Sequence, residues 1–361
     1  MSVCVAKYHD QLISIRRHLH TMPEEGWSEF TTTNFIVEKL KEYGYQVLLG
    51  TKVINPENCL GRSQKVVDAG IAYARKNGVS EDFLKATEGY TGCCGILDTG
   101  RPGPTLAVRF DIDCVPVTES TEQDHIPQSE GFESTRPGLM HACGHDFHLT
   151  TIYGVALLLN ENAAQLHGTV KLLFQPAEES SLGALKIIET GVLDDVNAIF
   201  GIHCTSQFEV GTIGIKAGTV SAAVDRFKIN LKGFGSHAAH PQMAKDPIVA
   251  AAALVNSLQT IVSRNMDPFN SSVLSITHLQ AGNTWNVIPE QALIEGTVRT
   301  LTSEERELFG KRLKEITYGI SQAYDLDTEI EWIAGPPATV NDEEWSNFAK
   351  AIAQAEKIAI G

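Results

Sequence analysis

The segment Met140-His141-Ala142-Cys143-Gly144-His145-Asp146 gathers a thiol, two imidazoles and a carboxylate. Cys143 and His145 stand two positions apart. On an extended segment such side chains point to the same side, where a thiolate and an imidazole can grip one metal centre. Three further polar clusters end apolar runs: Asp111-Ile112-Asp113, Phe174-Gln175-Pro176-Ala177-Glu178-Glu179 and Gly201-Ile202-His203. Taken singly, a Cys-x-His, a Glu-Glu pair or a histidine behind a strand is most often structural. Together, each at the end of a hydrophobic run, they predict strands that deliver donors to one cleft, and hence a metal site.

The surrounding chain supports that reading. Leu12, Ile15 and Leu19, then Phe35, Ile36 and Leu40, recur at helical spacing, with Pro23 and Gly26 breaking the run between them. A helical region is expected over 66–86. Strands are expected over 95–98 and 105–110, around the turn Gly100-Arg101-Pro102-Gly103-Pro104, and over 169–174 and 198–202. Helices are expected over 148–159 and 183–190, the latter closed by Gly191. Strands alternating with helices indicate a three-layer α/β domain. Beyond it the order changes to strand 227–232, helix 247–263, strand 272–279, strand 292–300, helix 303–324 and strand 328–333. That is the β-α-β-β-α-β order of a ferredoxin-like α+β domain. The expected division is 1–218, then 219–332 as an inserted domain, then 333–361 returning to the first with a helix over 343–359.

The chain of 361 residues, 43% hydrophobic, is long enough for two folded domains. A net charge of −15 argues against nucleic acid or an anionic membrane as partner. Seven cysteines scattered among apolar segments do not form a disulfide framework, and Cys93-Cys94 reads as reduced. The N-terminus lacks the apolar core of a signal peptide, and no segment reaches transmembrane length without charges. A cytosolic enzyme is the simplest expectation.

A thiolate, imidazoles and a carboxylate suit zinc, or manganese, cobalt or nickel, better than calcium or magnesium. Two such ions sharing a water acidify it, and the reaction still needs a base that hands the proton to the leaving nitrogen. Adjacent side chains on extended backbone point to opposite sides. Glu179 is therefore expected to bind metal while Glu178 faces the substrate as general base and acid. The alternatives are that both ligate or that one is solvated. Asp111 and Asp113 share a face, and Asp113 is expected to orient a ligand imidazole, or else to cap a turn. In the inserted domain, His237 lies in the Gly-rich turn Gly233-Phe234-Gly235-Ser236-His237-Ala238-Ala239-His240-Pro241. It is a candidate to reach a neighbouring active site and stabilise an oxyanion. Asn286, in Asn286-Val287-Ile288-Pro289, is a further substrate-binding candidate. Arg299 is another, suited to holding a substrate carboxylate.

His141-Ala142-Cys143-Gly144-His145-Asp146, Gln175-Pro176-Ala177-Glu178-Glu179, Gly201-Ile202-His203 and Gly235-Ser236-His237-Ala238-Ala239 resemble the motifs of the aminoacylase and carboxypeptidase family of two-metal metallopeptidases. More narrowly they resemble its amidohydrolase branch, which includes hippurate hydrolase and auxin-conjugate hydrolases. Arg16-Arg17-His18-Leu19-His20 with Pro23-Glu24 is similar to that branch's N-terminal signature. The helical insertion at 52–90 resembles the subgroup of aminobenzoyl-glutamate utilisation proteins. Asp111, where the carboxypeptidase branch has histidine, also favours the amidohydrolase branch. The resemblance implies a metallopeptidase catalytic domain with a ferredoxin-like lid through which the chain forms a homodimer or heterodimer. It implies two divalent ions and hydrolysis of an N-acyl or N-aroyl amino acid, with aminobenzoyl-glutamate as one such substrate. It implies Cys143 as bridging ligand, His145, Glu179 and His203 as further ligands, Glu178 as base, and His237 as a lid residue completing a partner's site. The family's last ligand histidine, after a Gly-Ser-Glu-Asp motif, has no counterpart here. The last histidine is His278. The catalytic domain is accordingly expected to be cut short. The alternative readings are a dipeptidase and a non-catalytic, substrate-binding member of a heteromeric amidohydrolase.

Overall fold

The computed structural model describes residues 5–179 and 183–361. They fall into two units, Met1–Gln207 and Phe208–Gly361. The first contains α1 (His9–His20), α2 (Phe30–Glu42), β1 (Gln46–Leu48), α3 (Gln64–Lys76), α4 (Glu81–Ala86), β2 (Cys93–Asp98), β3 (Thr105–Asp111), α5 (Ile126–Glu130), α6 (His145–Glu161), β4 (Thr169–Gln175), α7 (Gly183–Ile188) and β5 (Ala198–Gly201). The expected helix over 66–86 is two helices. Asn77 ends α3, Gly78 follows with φ +84°, and Ser80 caps α4 by accepting the Phe83 amide.

The five strands pair in the order β1-β2-β4-β3-β5. β3 runs parallel to both β4 and β5, so Asp111 lies opposite Gln175, and Arg109 opposite Gly201. Three polar clusters therefore leave the sheet from one edge, the place where open α/β sheets bind ligands. Alternate strand residues face different layers. Phe110, Leu172 and Phe174 pack with Leu19, Ile36, Leu40, Leu149 and Ile152 from α1, α2 and α6. Ala107 and Leu173 pack the other way, with Trp27, Val53, Ile54 and Ile187. Burial on both faces explains the unbroken apolar runs.

The second unit contains β6 (Thr212–Ile213), β7 (Gly218–Ser221), β8 (Ala223–Lys232), β9 (Ser236–His237), α8 (Pro247–Asn265), β10 (Val273–Ala281), β11 (Val287–Ile288), β12 (Gln291–Thr300), α9 (Ser303–Ala323), β13 (Asp327–Ala334), β14 (Thr339–Asn341), α10 (Glu343–Ala355) and β15 (Ala359–Ile360). Its main sheet has the order β10-β12-β8-β13, every neighbour antiparallel. With α8 and α9 this is the ferredoxin-like arrangement expected from element order. Phe227, Ile229, Leu231, Ile294 and Val298 pack against Leu254, Leu258, Ile261, Phe309 and Leu313. Asp246 and Thr302 cap α8 and α9 through the amides of Ile248 and Glu305. The last helix ends at Ala355, short of the expected 359, and the chain continues into β15, which pairs parallel to β6. Among the described residues no helix is long and apolar enough to cross a membrane.

One polar contact anchors the second unit's core. Asp225 is buried on β8, and Arg306 of α9 grips it with Nε–Oδ2 at 2.7 Å and Nη2–Oδ1 at 2.5 Å. Removing one partner of a buried pair strands the other charge. Arg306→Met should therefore cost about 3–5 kcal/mol, read as a lower urea midpoint by circular dichroism. An unchanged midpoint would show that the pair is dispensable.

Candidate metal centre

Each donor cluster leaves its element by a sharp turn. Past β3, Asp111 and Asp113 are both fully buried. The chain returns through a bridge between Val115 and Met140 and reaches Cys143. Gly144 then adopts φ +80°, and His145 opens α6. Cys143 and His145 are thus not on extended backbone, as their spacing suggested. A left-handed turn followed by the first helical residue brings them together. Only glycine fits at 144, since a Cβ there would lie 2.3 Å from Cys204 Sγ. Past β4, Ala177 has φ +52°, and Glu178 and Glu179 occupy a turn. They too are not on the extended backbone expected of them. β5 leads to His203, which is exposed.

Hydrogen bonds assign the imidazole nitrogens. The Cys204 amide donates to His148 Nε2 at 2.8 Å, so the His148 proton is on Nδ1, donated to Asp111 Oδ1 at 2.5 Å. Both His148 nitrogens are therefore engaged, and it is a buried tie rather than a ligand. His203 Nδ1 donates to the Cys204 carbonyl at 2.7 Å, which leaves Nε2 free, 3.5 Å from Cys143 Sγ. His145 Nδ1 lies 3.3 Å from Asp113 Oδ1, and its Nε2 lies 3.7 Å from Glu179 Oε1. Donor atoms of Cys143, His145 and Glu179 all lie within 4.8 Å of one another. His145 and His203 also belong to a second such group, with Asp111 and His148.

The buried atoms of this cluster want a cation. Both ring nitrogens of His145, Asp113 Oδ1 and Asp111 Oδ2 are buried without an aligned hydrogen bond. Orphaned buried polar atoms of this kind are costly unless a ligand or ion takes them up. The donor set, one thiolate, two imidazoles and a carboxylate, fits a borderline divalent ion.

Electrostatics say the same. Burial would lower the His145 imidazole, but the Asp113 contact and the charges of Asp111 and Glu178 reverse this and raise it to about 9. Burial, then Glu179 and Glu178, push the Cys143 thiol far above its ordinary range. Glu178 is raised by removal from water and by Asp111, Glu179 and Asp113. Asp111, despite burial, is held low by His148, Arg109 and His145.

Three residues of the site escaped sequence reasoning. His148 follows His145 by one helical turn, a spacing that could have flagged it. Arg109 bridges Gln175 Oε1 at 2.6 Å and Asp111 Oδ2 at 3.1 Å. Behind α6, buried His20 joins Asp146 and Glu119, each at 2.9 Å. In the second unit, His237 and Asn286 are brought together. His237 pairs with Val287 across the β9–β11 ribbon, and the Ala238 amide donates to the Asn286 carbonyl at 2.9 Å. Arg299 is not with them. It lies opposite Val224 and Val273, at the far end of β12 from Gln291. His278 pairs with Glu295 at 2.6 Å on the exposed side of that sheet.

A parallel sheet edge carrying a thiolate, imidazole and carboxylate cluster, in a chain with a ferredoxin-like second sheet, defines a metal-binding hydrolase of the metallopeptidase type. The chain belongs to peptidase family M20/M25/M40, whose profile matches residues 107–360. It is 42% identical to the N-acetyl-L-cysteine deacetylase of Bacillus subtilis over 97% of this chain and 74% of that protein. It is 39% identical to a homolog of p-aminobenzoyl-glutamate hydrolase from Haemophilus influenzae, over 92% of this chain and 78% of that protein. A crystal structure of a Bacillus subtilis dinuclear metal-binding peptidase of the M20 family superposes with a TM-score of 0.75 at 35% identity, covering 99% of this chain and 82% of that one. The protein is therefore an enzyme that hydrolyses amide bonds.

With protons on Cys143 and on His145, an incoming cation must displace them. His145 stays protonated below about 9, so apparent metal affinity should rise as pH increases from 6 toward 9. Calorimetric titration at pH 7 in two buffers of different protonation enthalpy should report about one or more protons released per ion. Release of none would contradict this assignment of charge.

Proposed function

We propose that this enzyme cleaves the amide bond of an N-acyl or N-aroyl amino acid, with aminobenzoyl-glutamate in the substrate class. The observation that carries the reading is the convergence of Cys143, His145, Glu179 and His203 donors beside Glu178, a carboxyl kept protonatable by its surroundings. The two curated relatives add support, since both names describe an acyl group joined to an amino-acid nitrogen. Cys143 would bridge two ions, with His145 and Glu179 on one side and His203 on the other. Zinc or manganese suits this set, with cobalt or nickel as substitutes. Such a pair, when bound, polarises the scissile carbonyl and acidifies water.

The chain's own residues do the rest. Glu178 takes a proton from the attacking water and returns it to the leaving nitrogen, a task that a carboxyl with a raised pKa suits. Asp113 keeps the His145 ring in register through the Nδ1 contact at 3.3 Å and accepts the Glu179 amide at 2.9 Å. His237 and Asn286 would steady the developing oxyanion from a lid, and Arg299 would pair with a substrate carboxylate. The same reading keeps 1–218 and 333–361 as catalytic domain and 219–332 as a lid through which a homodimer or heterodimer forms. It places the enzyme in the cytosol, in keeping with six free cysteines among the described residues.

Glu178→Gln should lower kcat by about 10²–10⁴-fold while metal content and KM hold. Chelation should abolish turnover, and manganese or zinc should restore it. A panel of dipeptides, N-acetyl amino acids and aroyl-glutamates separates this reading from a dipeptidase. Faster turnover of the dipeptides, or full activity of the Gln variant, would overturn it.

A further inference from the structure

Pro176 and Ala177 join β4 to the two glutamates, and their backbone is gripped from below. Ala177 is fully buried and left-handed, with φ +52°. A residue with a Cβ stays in that region only where its surroundings hold it there. Glycines clear the space on both sides: a Cβ on Gly92 would lie 2.6 Å from Pro176 Cδ, and one on Gly183 would lie 1.8 Å from the Pro176 carbonyl oxygen. The remaining hold is a hydrogen bond. The Ala177 amide donates to Glu29 Oε1 at 2.8 Å, and Thr91 Oγ1 donates to Glu29 Oε2 at 2.5 Å.

Glu29 is free for this task because Glu24 does the capping. Glu24 accepts the amides of Thr31 and Thr32 at the start of α2, at 3.1 and 2.7 Å, and Glu29 makes no cap bond there. Glu29 and Thr91 are both fully buried, and no cation pairs with Glu29 among the described residues. A buried carboxyl without a counter-charge is costly, so its use lies in what it accepts. On the other side of Glu178, the Glu179 amide donates to Asp113 Oδ2 at 2.9 Å. Two carboxylates thus take the amides that bracket Glu178.

We propose that Glu29 is a positioning residue: through the Ala177 amide it fixes the turn that aims Glu178 at the scissile bond. This rests on Glu178 being the general base. In Glu29→Leu, amide exchange at Ala177 in the metal-free full chain should quicken by about 100-fold while β4 amides keep their protection. In the metal-loaded enzyme, kcat should fall about 100-fold with KM and metal stoichiometry unchanged. Glu29→Gln keeps the acceptor for Ala177, and its amide can donate to Thr91, so both readouts should stay near wild type. Thr91→Val, which removes only the tie to Oε2, gives the same test with smaller changes if the Leu variant does not fold. Unchanged Ala177 exchange in Leu and Val variants, a Gln variant as impaired as Leu, or loss of metal in step with kcat would each overturn the proposal. An active Glu178→Gln enzyme would instead remove the general base and leave the exchange result to judge the grip on Ala177.

Discussion

Asp111, Asp113, Glu178 and Glu179 crowd one edge of a buried sheet together with a thiol. Negative groups gathered where water is scarce repel one another unless protons or cations intervene. In the metal-free protein, protons do so, on His145 and on the Cys143 thiol, and Glu178 is raised by its acidic neighbours. Several arrangements in the first unit hold that unfavourable cluster in place. Parallel β3, β4 and β5 set the three strand ends side by side. His148 latches Asp111 to the backbone after β5. Arg109 spans the ends of β3 and β4.

Much of this could be read from the chain before any coordinates. Strands buried on both faces leave continuous apolar runs, so their ends, and the polar clusters at them, stood out. The ferredoxin-like order was equally plain, because its two helices are long and its strands carry regular alternation. What could not be read was long-range or conformational. Strand order within the first sheet depends on crossovers that local patterns do not encode. The role of His148 depends on a backbone amide 56 residues away. Ala177 gives no local sign that it will be left-handed, since alanine seldom is, and only the surrounding Glu29, Gly92 and Gly183 explain it. Gly144 did carry a signal, and it was read as a spacer when it is the turn itself.

Two glutamates that are neighbours in sequence illustrate how small a change in backbone redirects chemistry. On extended backbone, opposed side chains would have separated ligand from base. The observed turn reaches a similar division by another route, with Glu179 drawn toward His145 and its amide held by Asp113. The motif was right and its geometric rationale was not. Residue identity at such a site is therefore a better guide than assumed local conformation.

The second sheet also works as a ruler. Eight residues of β12 separate Gln291, beside the His237 ribbon, from Arg299, roughly 25 Å at the usual strand rise. An acylated amino acid is far shorter than that. Within one copy of this sheet, a single such molecule cannot be clasped by the imidazole and the guanidinium at once, so the two ends answer to separate guests.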